Sequence, residues 1–171
     1  VSTSIASGPG AQADAQSALA GLLERAGRWK DAAGVWGTLA ATGVDPSHRI
    51  QQATALMNAG DVTAGRDVLA VFTKDKPRDM AAWYLLAQAE RRLGHAAAAE
   101  AAAKRIAEID ANDPRGPLAM AEAKEAARDY AGVVAALQPL YDSRRAQARA
   151  DDDVLAFAGA ALASAYQELH Q

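Results

Sequence analysis

A short segment recurs along this chain every 33 or 34 residues, and this period restricts the fold more than any other feature. The four equivalent points are Gly27-Arg28-Trp29, Gly60-Asp61-Val62, Gly94-His95-Ala96 and Arg128-Asp129-Tyr130. Each follows one stretch of helical apolar periodicity and precedes another, so each is expected to be a turn between two helices. A fixed period of this length is typical of repeat proteins made of stacked helical hairpins.

The period predicts an all-α fold of about nine helices. Four hairpins are expected within residues 12–147, at about 13–45, 46–79, 80–113 and 114–147. Residues 1–11 are rich in serine and glycine and are expected to be a flexible leader, either the tail of an exported precursor or a domain linker. Residues 151–171 are expected to hold the ninth helix, either a capping helix or the first helix of a truncated fifth repeat.

The four segments resemble the tetratricopeptide repeat (TPR) family from about Ala13 to Leu140. The residues that carry the resemblance in the third segment are Trp83, Leu86, Ala89, Gly94 and Ala99, and those in the first are Ala20, Gly27, Trp29, Ala32, Trp36 and Leu39. The resemblance implies a right-handed α-solenoid of antiparallel helix pairs. It also implies that Trp83 lies in the core.

Three residues depart from the family pattern. Gly65 replaces the alanine expected in the second segment, and Arg128 replaces the glycine expected at the fourth turn. Pro139 lies late in the second helix of the fourth segment, where it should kink or loosen the helix end because proline has no backbone N–H. These departures predict a less rigid array with the same fold.

The resemblance also implies a peptide-binding groove, because the first helices of successive TPR hairpins line the concave side. The corresponding residues are Ser17, Gly21 and Glu24, then Ile50, Thr54 and Asn58, then Tyr84, Gln88, Arg91 and Arg92, and finally Leu118, Glu122 and Glu125. An aromatic side chain beside arginine is the usual composition of a binding hot spot. Alternatively, Arg91 pairs with a nearby acid and keeps the helix soluble.

The sequence gives no positive support for catalysis, a cofactor or a metal site. There is no cysteine, and the three histidines, His48, His95 and His170, lack partners at ligand spacing, so we expect them at the surface. There is no phosphate-binding glycine loop after a strand and no nucleophile elbow. We therefore expect a protein that is not an enzyme and that holds no catalytic, cofactor or metal residues.

Composition limits the partners. The net charge of −3 does not favour nucleic acid, and no apolar run approaches the roughly 20 residues of a membrane span. We expect a non-catalytic scaffold that binds a protein or peptide segment in its groove. Two alternatives stay open: self-association into a homo-oligomer through the end faces of the array, and a recognition arm of a larger enzyme. The compartment, cytoplasmic or periplasmic, stays undetermined.

Overall fold

A computed structural model describes residues 9–147 and 152–170. Within these residues the chain forms nine α-helices and no strand. The helices are α1 (Pro9–Arg25), α2 (Trp29–Ala41), α3 (Ser47–Asn58), α4 (Val62–Asp75), α5 (Met80–Arg92), α6 (Ala96–Ile109), α7 (Arg115–Ala126), α8 (Tyr130–Ala146) and α9 (Asp153–Glu168). The expected all-α fold is therefore confirmed. The chain divides into two compact units, a first unit ending at Asp75 and a second unit beginning at Lys76.

The turns within the hairpins form where the repeated glycines predict them. Gly27, Gly60 and Gly94 have positive φ angles of 70°, 90° and 79°, a conformation that glycine adopts without steric cost. At the third turn, Gly94 N–H donates to the carbonyl of Arg91 at 3.0 Å and His95 N–H donates to that of Glu90 at 2.8 Å. This pair of bonds is a Schellman motif, which ends one helix and lets the chain reverse after three residues. We refer to α1–α2, α3–α4, α5–α6 and α7–α8 as the first to fourth hairpins.

The fourth turn has the same geometry without glycine. Arg128 adopts φ 57°, its N–H donates to the carbonyl of Glu125 at 2.9 Å, and Asp129 N–H donates to that of Lys124 at 2.8 Å. A side chain in the left-handed region is strained, because its Cβ approaches the following carbonyl. Helix α9 also ends at a left-handed residue, His170 with φ 59°, whose N–H donates to the carbonyl of Gln167 at 3.0 Å. In this respect its C-terminus resembles those of the first helices of the hairpins.

The first unit is built around small residues and one tryptophan. Trp36 is 8% exposed and packs with Leu39, Ala32 and other residues of a buried cluster that joins the first hairpin to α3. The indole Nε1 donates to Oε1 of Glu24 at 2.8 Å, and His48 stacks on the ring with a centroid distance of 5.6 Å. The aromatic ring fills the gap that the surrounding alanines leave.

Gly65 is buried where α4 crosses α3. A Cβ at this position would lie 2.6 Å from Cγ of Met57 and 2.8 Å from the carbonyl oxygen of Ala53. Both distances are too short for carbon, so only glycine allows the two helices to approach this closely. The departure of Gly65 from the family pattern is therefore a requirement of packing.

The second unit has an apolar cluster in the fourth hairpin and α9. Leu137 is fully buried there, and Val133 and Leu162 are 2% and 5% exposed. Helix α9 packs against α8 and is capped by Asp152, whose carboxylate accepts from Leu155 N–H at 3.0 Å. Helix α8 continues through Pro139 to Ala146 as a single helix.

Two expectations differ from the structure. Trp83 was expected in the core but is only half-buried, because its ring lies at the start of α5, with Nε1 donating to the carbonyl of Pro77 at 3.0 Å and Arg105 stacked over it. Helix α1 begins at Pro9, so it includes the end of the expected leader at residues 1–11. The rest of that leader, and residues 148–151 and 171, lie outside the described residues.

Candidate functional site

In the second unit, α5 and α7 lie side by side and bring together four of the predicted groove residues. The Tyr84 hydroxyl donates to Oε1 of Glu122 at 3.4 Å, and Nε of Arg91 lies 3.4 Å from Oε2 of the same carboxylate. Gln88 lies one turn along α5 from Tyr84 and is half-buried. We call Tyr84, Gln88, Arg91 and Glu122 the α5–α7 cluster.

The carboxylate at the centre of the α5–α7 cluster is partly dehydrated. The Glu122 side chain is 18% exposed and that of Arg91 is 38% exposed. Burial raises the pKa of Glu122 above its ordinary value, although Arg91 and the hydrogen bond from Tyr84 act to lower it. Burial, followed by the negative charge of Glu122, raises the pKa of the Tyr84 hydroxyl. The cluster therefore presents a phenol and a guanidinium that both contact one carboxylate, with the Gln88 amide between them along α5.

The other predicted groove residues of the second unit have different surroundings. Arg92 and Glu125 are exposed, and the charge of Glu125 contributes to the raised pKa of Glu122. Leu118 is half-buried and packs against the apolar cluster that contains Leu137. Leu118 therefore belongs in part to the core, which sequence alone did not reveal.

The predicted groove residues of the first unit lie on α1 and α3. On α3, Ile50 and Thr54 are half-buried and Asn58 is exposed, and the Thr54 hydroxyl donates to the carbonyl of Ile50 at 2.9 Å. On α1, Ser17 and Gly21 are half-buried. Glu24 is occupied by its hydrogen bond from the indole of Trp36. Its role is thus to hold the core tryptophan.

The three histidines have different surroundings. His95 is exposed, with Nδ1 2.7 Å from Oε2 of Glu90, and His170 is exposed at the end of α9. His48 was expected at the surface but is half-buried, because it stacks on Trp36. Within residues 9–147 and 152–170, no three histidine or acidic side chains are grouped as metal ligands. Over the same described residues, no helix is long and apolar enough to cross a membrane.

The structure also contains a cleft that the sequence did not predict. It lies between α6 and α8, over the start of α7, and has a volume of about 470 Å³. Its lining includes Ala103, Lys104, Met120, Pro139, Leu140 and Ser143. The small residues that line it on α6 recur at helical spacing. Alanines with the same spacing lie in the packed core elsewhere in this chain, so the pattern alone does not distinguish a cleft from a packed interface.

Comparison with known proteins relates this chain to others by structure. No family model matches the sequence, and no curated protein matches it. A tetratricopeptide repeat protein from Parabacteroides merdae superposes with a TM-score of 0.77 at 14% identity over 92% of this chain. The chain spans only 59% of the length of that protein.

Two further structures give the same result. TPR-like repeats of a putative kinesin light chain from Podosopora anserina have a TM-score of 0.76 at 18% identity, covering 94% of this chain and 88% of that one. MamA from Desulfovibrio magneticus has a TM-score of 0.66 at 16% identity, covering 96% and 98%. At these identities the likeness concerns the fold. Over residues 9–147 and 152–170, this chain has the fold of the tetratricopeptide repeat proteins.

Proposed function

We propose that this protein is a non-catalytic scaffold that binds an extended or helical segment of a protein partner, with the α5–α7 cluster as its main contact in the second unit. In the first unit, taken by itself, the corresponding predicted contacts are Ile50, Thr54 and Asn58 on α3. The observation that carries the proposal is the joint contact of Tyr84 and Arg91 with Glu122 across two helices.

The physical argument concerns preorganisation. Tyrosine and arginine dominate binding hot spots because each combines apolar area with polar groups. Here Glu122 restrains both side chains before a partner arrives, so less rotamer entropy is lost on binding. Because the carboxylate is already partly dehydrated, a partner also removes less water from it. The ion pair between Arg91 and Glu122 would thus orient a binding surface.

Affinity capture from the source cell tests this proposal. The wild-type chain and the double variant Tyr84→Ala/Arg91→Glu would serve as baits, and the recovered proteins would be quantified by mass spectrometry. We expect a set of proteins to be lost from the variant bait by about tenfold or more, which corresponds to about 1.4 kcal/mol in binding.

A matched control is the charge reversal Arg145→Glu, at an exposed position of α8 away from the cluster. Far-ultraviolet circular dichroism would establish that both variants keep their helicity. Recovery of the same proteins by the wild-type and double-variant baits would show that the groove assignment is wrong.

The end helices favour a second candidate function, self-association. On α1, Leu19 and Leu22 are 48% and 57% exposed, and on α9 Phe157 is 49% exposed. In a repeat array these outer faces are where a further helix would pack, and terminal repeats that remain soluble usually carry polar residues there. A second copy of the chain would bury this apolar area.

Sedimentation velocity over a concentration series separates the two functions. A scaffold that acts through its groove should remain monomeric, whereas self-association should give a concentration-dependent increase in mass. If assembly occurs, Leu22→Glu or Phe157→Glu should abolish it, while Arg145→Glu should not. Assembly that persists in both end-face variants would exclude these faces as the interface.

A further inference from the structure

The cleft between α6 and α8 is separate from the proposed groove. Helix α7 contributes Gly116, Pro117 and Met120 to the cleft, whereas its groove residues are Leu118, Glu122 and Glu125. At about 100° per residue, these two sets lie on opposite sides of the helix. A ligand in the cleft would therefore leave the α5–α7 cluster free.

The cleft has the size and surface of a binding site. Its volume of about 470 Å³ falls within the range of known ligand pockets, roughly 300–1,000 Å³. Helix α8 contributes Ala136, Pro139, Leu140 and Ser143, which recur at helical spacing and form one wall. Met120 lines it from α7, and a methionine side chain adapts readily to the shape of an apolar group.

The charges around the cleft favour a carboxylate. Asp113 lines it, but both of its oxygens are held by Arg115, at 2.9 Å and 2.7 Å, so its charge is neutralised. Lys104 also lines the cleft and forms no ion pair with any described residue. An incoming ligand therefore meets one uncompensated positive charge beside an apolar surface.

The acids nearest to Lys104 along its own helix are already engaged. Glu100, one turn before it, lies 3.1 Å from Nζ of Lys124, and Glu108, one turn after it, pairs with Arg105. Both acids are on α6, where they would otherwise be the natural partners for Lys104. Their pairing elsewhere leaves the ammonium group available to a ligand.

Pro139 adds a feature that suits a peptide. Because proline has no N–H, the carbonyl of Ala135 cannot receive its usual helical hydrogen bond from residue 139. In an α-helix that carbonyl points along the axis toward residue 139, and Pro139 itself lines the cleft. Ala135 is exposed and is not itself among the residues that line the cleft, so its carbonyl is an acceptor beside the cleft for a backbone N–H, which a peptide has and a simple carboxylic acid lacks.

From these features we propose that the α6–α8 cleft is a second binding site, for a peptide segment in which a large apolar side chain is followed by an acidic residue. The apolar side chain enters between Met120 and Leu140. The carboxylate pairs with Lys104, and a peptide N–H donates to the carbonyl of Ala135.

Methyl-methionine NMR tests this directly, because the chain has three methionines and each gives one methyl signal. The probe is the blocked hexapeptide of sequence GSFDGS, titrated to millimolar concentration. We expect a saturable shift of the Met120 signal, while Met57 in the first unit and Met80 on α5 stay unchanged. No movement of Met120, or equal movement of all three signals, would overturn the proposal.

Charge reversal supplies the second arm. Lys104→Glu should weaken binding of GSFDGS about three- to tenfold and should instead favour the probe GSFKGS, whereas the control Lys30→Glu, at an exposed site on α2, should change neither. If GSFDGS and GSFKGS bound to the wild type with equal affinity, and also bound to the Lys104→Glu variant with equal affinity, the proposed role of Lys104 would be contradicted.

A third probe, 3-phenylpropionate, has the apolar group and the carboxylate but lacks peptide N–H groups. If it bound as tightly as GSFDGS, the choice of a peptide as the ligand would be overturned.

Discussion

The second and fourth hairpins share the same architecture, but the second has glycine at two positions where the fourth has larger residues. The second hairpin has glycine at the turn, Gly60, and at the buried position five residues later, Gly65. The fourth has Arg128 and Val133 at the equivalent positions, 68 residues further along. Gly60 and Arg128 share a positive φ, and Gly65 and Val133 are both buried.

This comparison shows that a repeat can require glycine for two unrelated reasons, one at the turn and one at the buried position. At the turn the reason is the left-handed backbone, which the fourth hairpin adopts in spite of the strain. At the buried position the reason is the short distance between the two helices, because Ala53 and Met57 of α3 approach Gly65 closely. Substitutions at the two positions should therefore differ in size and in sign.

The largest effect is expected from Val133→Gly. Val133 is 2% exposed, so the substitution removes a buried side chain worth about 1.5–3 kcal/mol and introduces glycine into a helix at a further cost of about 1 kcal/mol. Urea denaturation followed by circular dichroism should show a loss of about 3 kcal/mol in the free energy of unfolding. Val133→Ala should cost about 1 kcal/mol less. A loss below about 1 kcal/mol for Val133→Gly would mean that the fourth hairpin can close around the missing side chain.

Gly65→Ala should also destabilise the protein, by about 1–3 kcal/mol, because the added methyl group overlaps Met57 and the carbonyl of Ala53. On helix propensity alone the same substitution would be stabilising. The control is Gly34→Ala, at an exposed position inside α2 where a Cβ would meet nothing within 4 Å. That variant should gain about 0.5–1 kcal/mol. If both variants gained stability, the close approach of α3 and α4 would be refuted.

These two glycines also show how far the sequence predicts the structure. The turns could be predicted, because a left-handed residue is a local requirement and glycine satisfies it at a fixed spacing. The need for Gly65 could not, because it arises from atoms of a neighbouring helix. The same limit explains Trp83, whose position at the start of α5 leaves it half-buried while Trp36 is enclosed by α1, α2 and α3.

The residues of the candidate site also divide into those whose surroundings the sequence could predict and those whose surroundings it could not. The family resemblance placed Tyr84, Arg91 and Glu122 on helices that lie side by side, and the structure brings these three into contact. The partial burial of Leu118 and the use of Glu24 by Trp36 depend on packing partners outside each helix. The α6–α8 cleft depends on three separated segments, so no local pattern could predict it.

At the turn, Arg128→Gly should stabilise the protein by about 0.5–1 kcal/mol. Relief of left-handed strain is worth about 1–2 kcal/mol, and the greater freedom of glycine in the unfolded chain offsets part of it. Arg128→Lys keeps both the charge and the strain, so it should leave the unfolding midpoint unchanged. Destabilisation by Arg128→Gly would show that the arginine side chain stabilises the turn by contacts that outweigh its backbone strain.

The smallest expected effect is on the pH dependence of stability, through the aspartate that follows the turn in each of these two hairpins. In the second hairpin Asp61 accepts from Ala64 N–H at 3.1 Å, and in the fourth Asp129 accepts from Gly132 N–H at 2.9 Å. The bond from Gly132, together with that from Lys124, lowers the pKa of Asp129 below its ordinary value. A carboxylate whose pKa is lowered by folding stabilises the protein above its unfolded pKa of about 3.9, and this contribution is lost as the pH falls through the folded value.

Asp129→Asn isolates that contribution, because asparagine caps a helix about as well as aspartate but does not titrate. At neutral pH the wild type should be slightly more stable than the variant, since only the carboxylate attracts Lys124, which lies 3.2 Å away. As the pH is lowered from about 6 to below about 3, the two urea midpoints should converge. A difference that stays constant over this range would mean that the cap acts through its hydrogen bond alone, and that the charge of Asp129 adds nothing to the stability of the fourth turn.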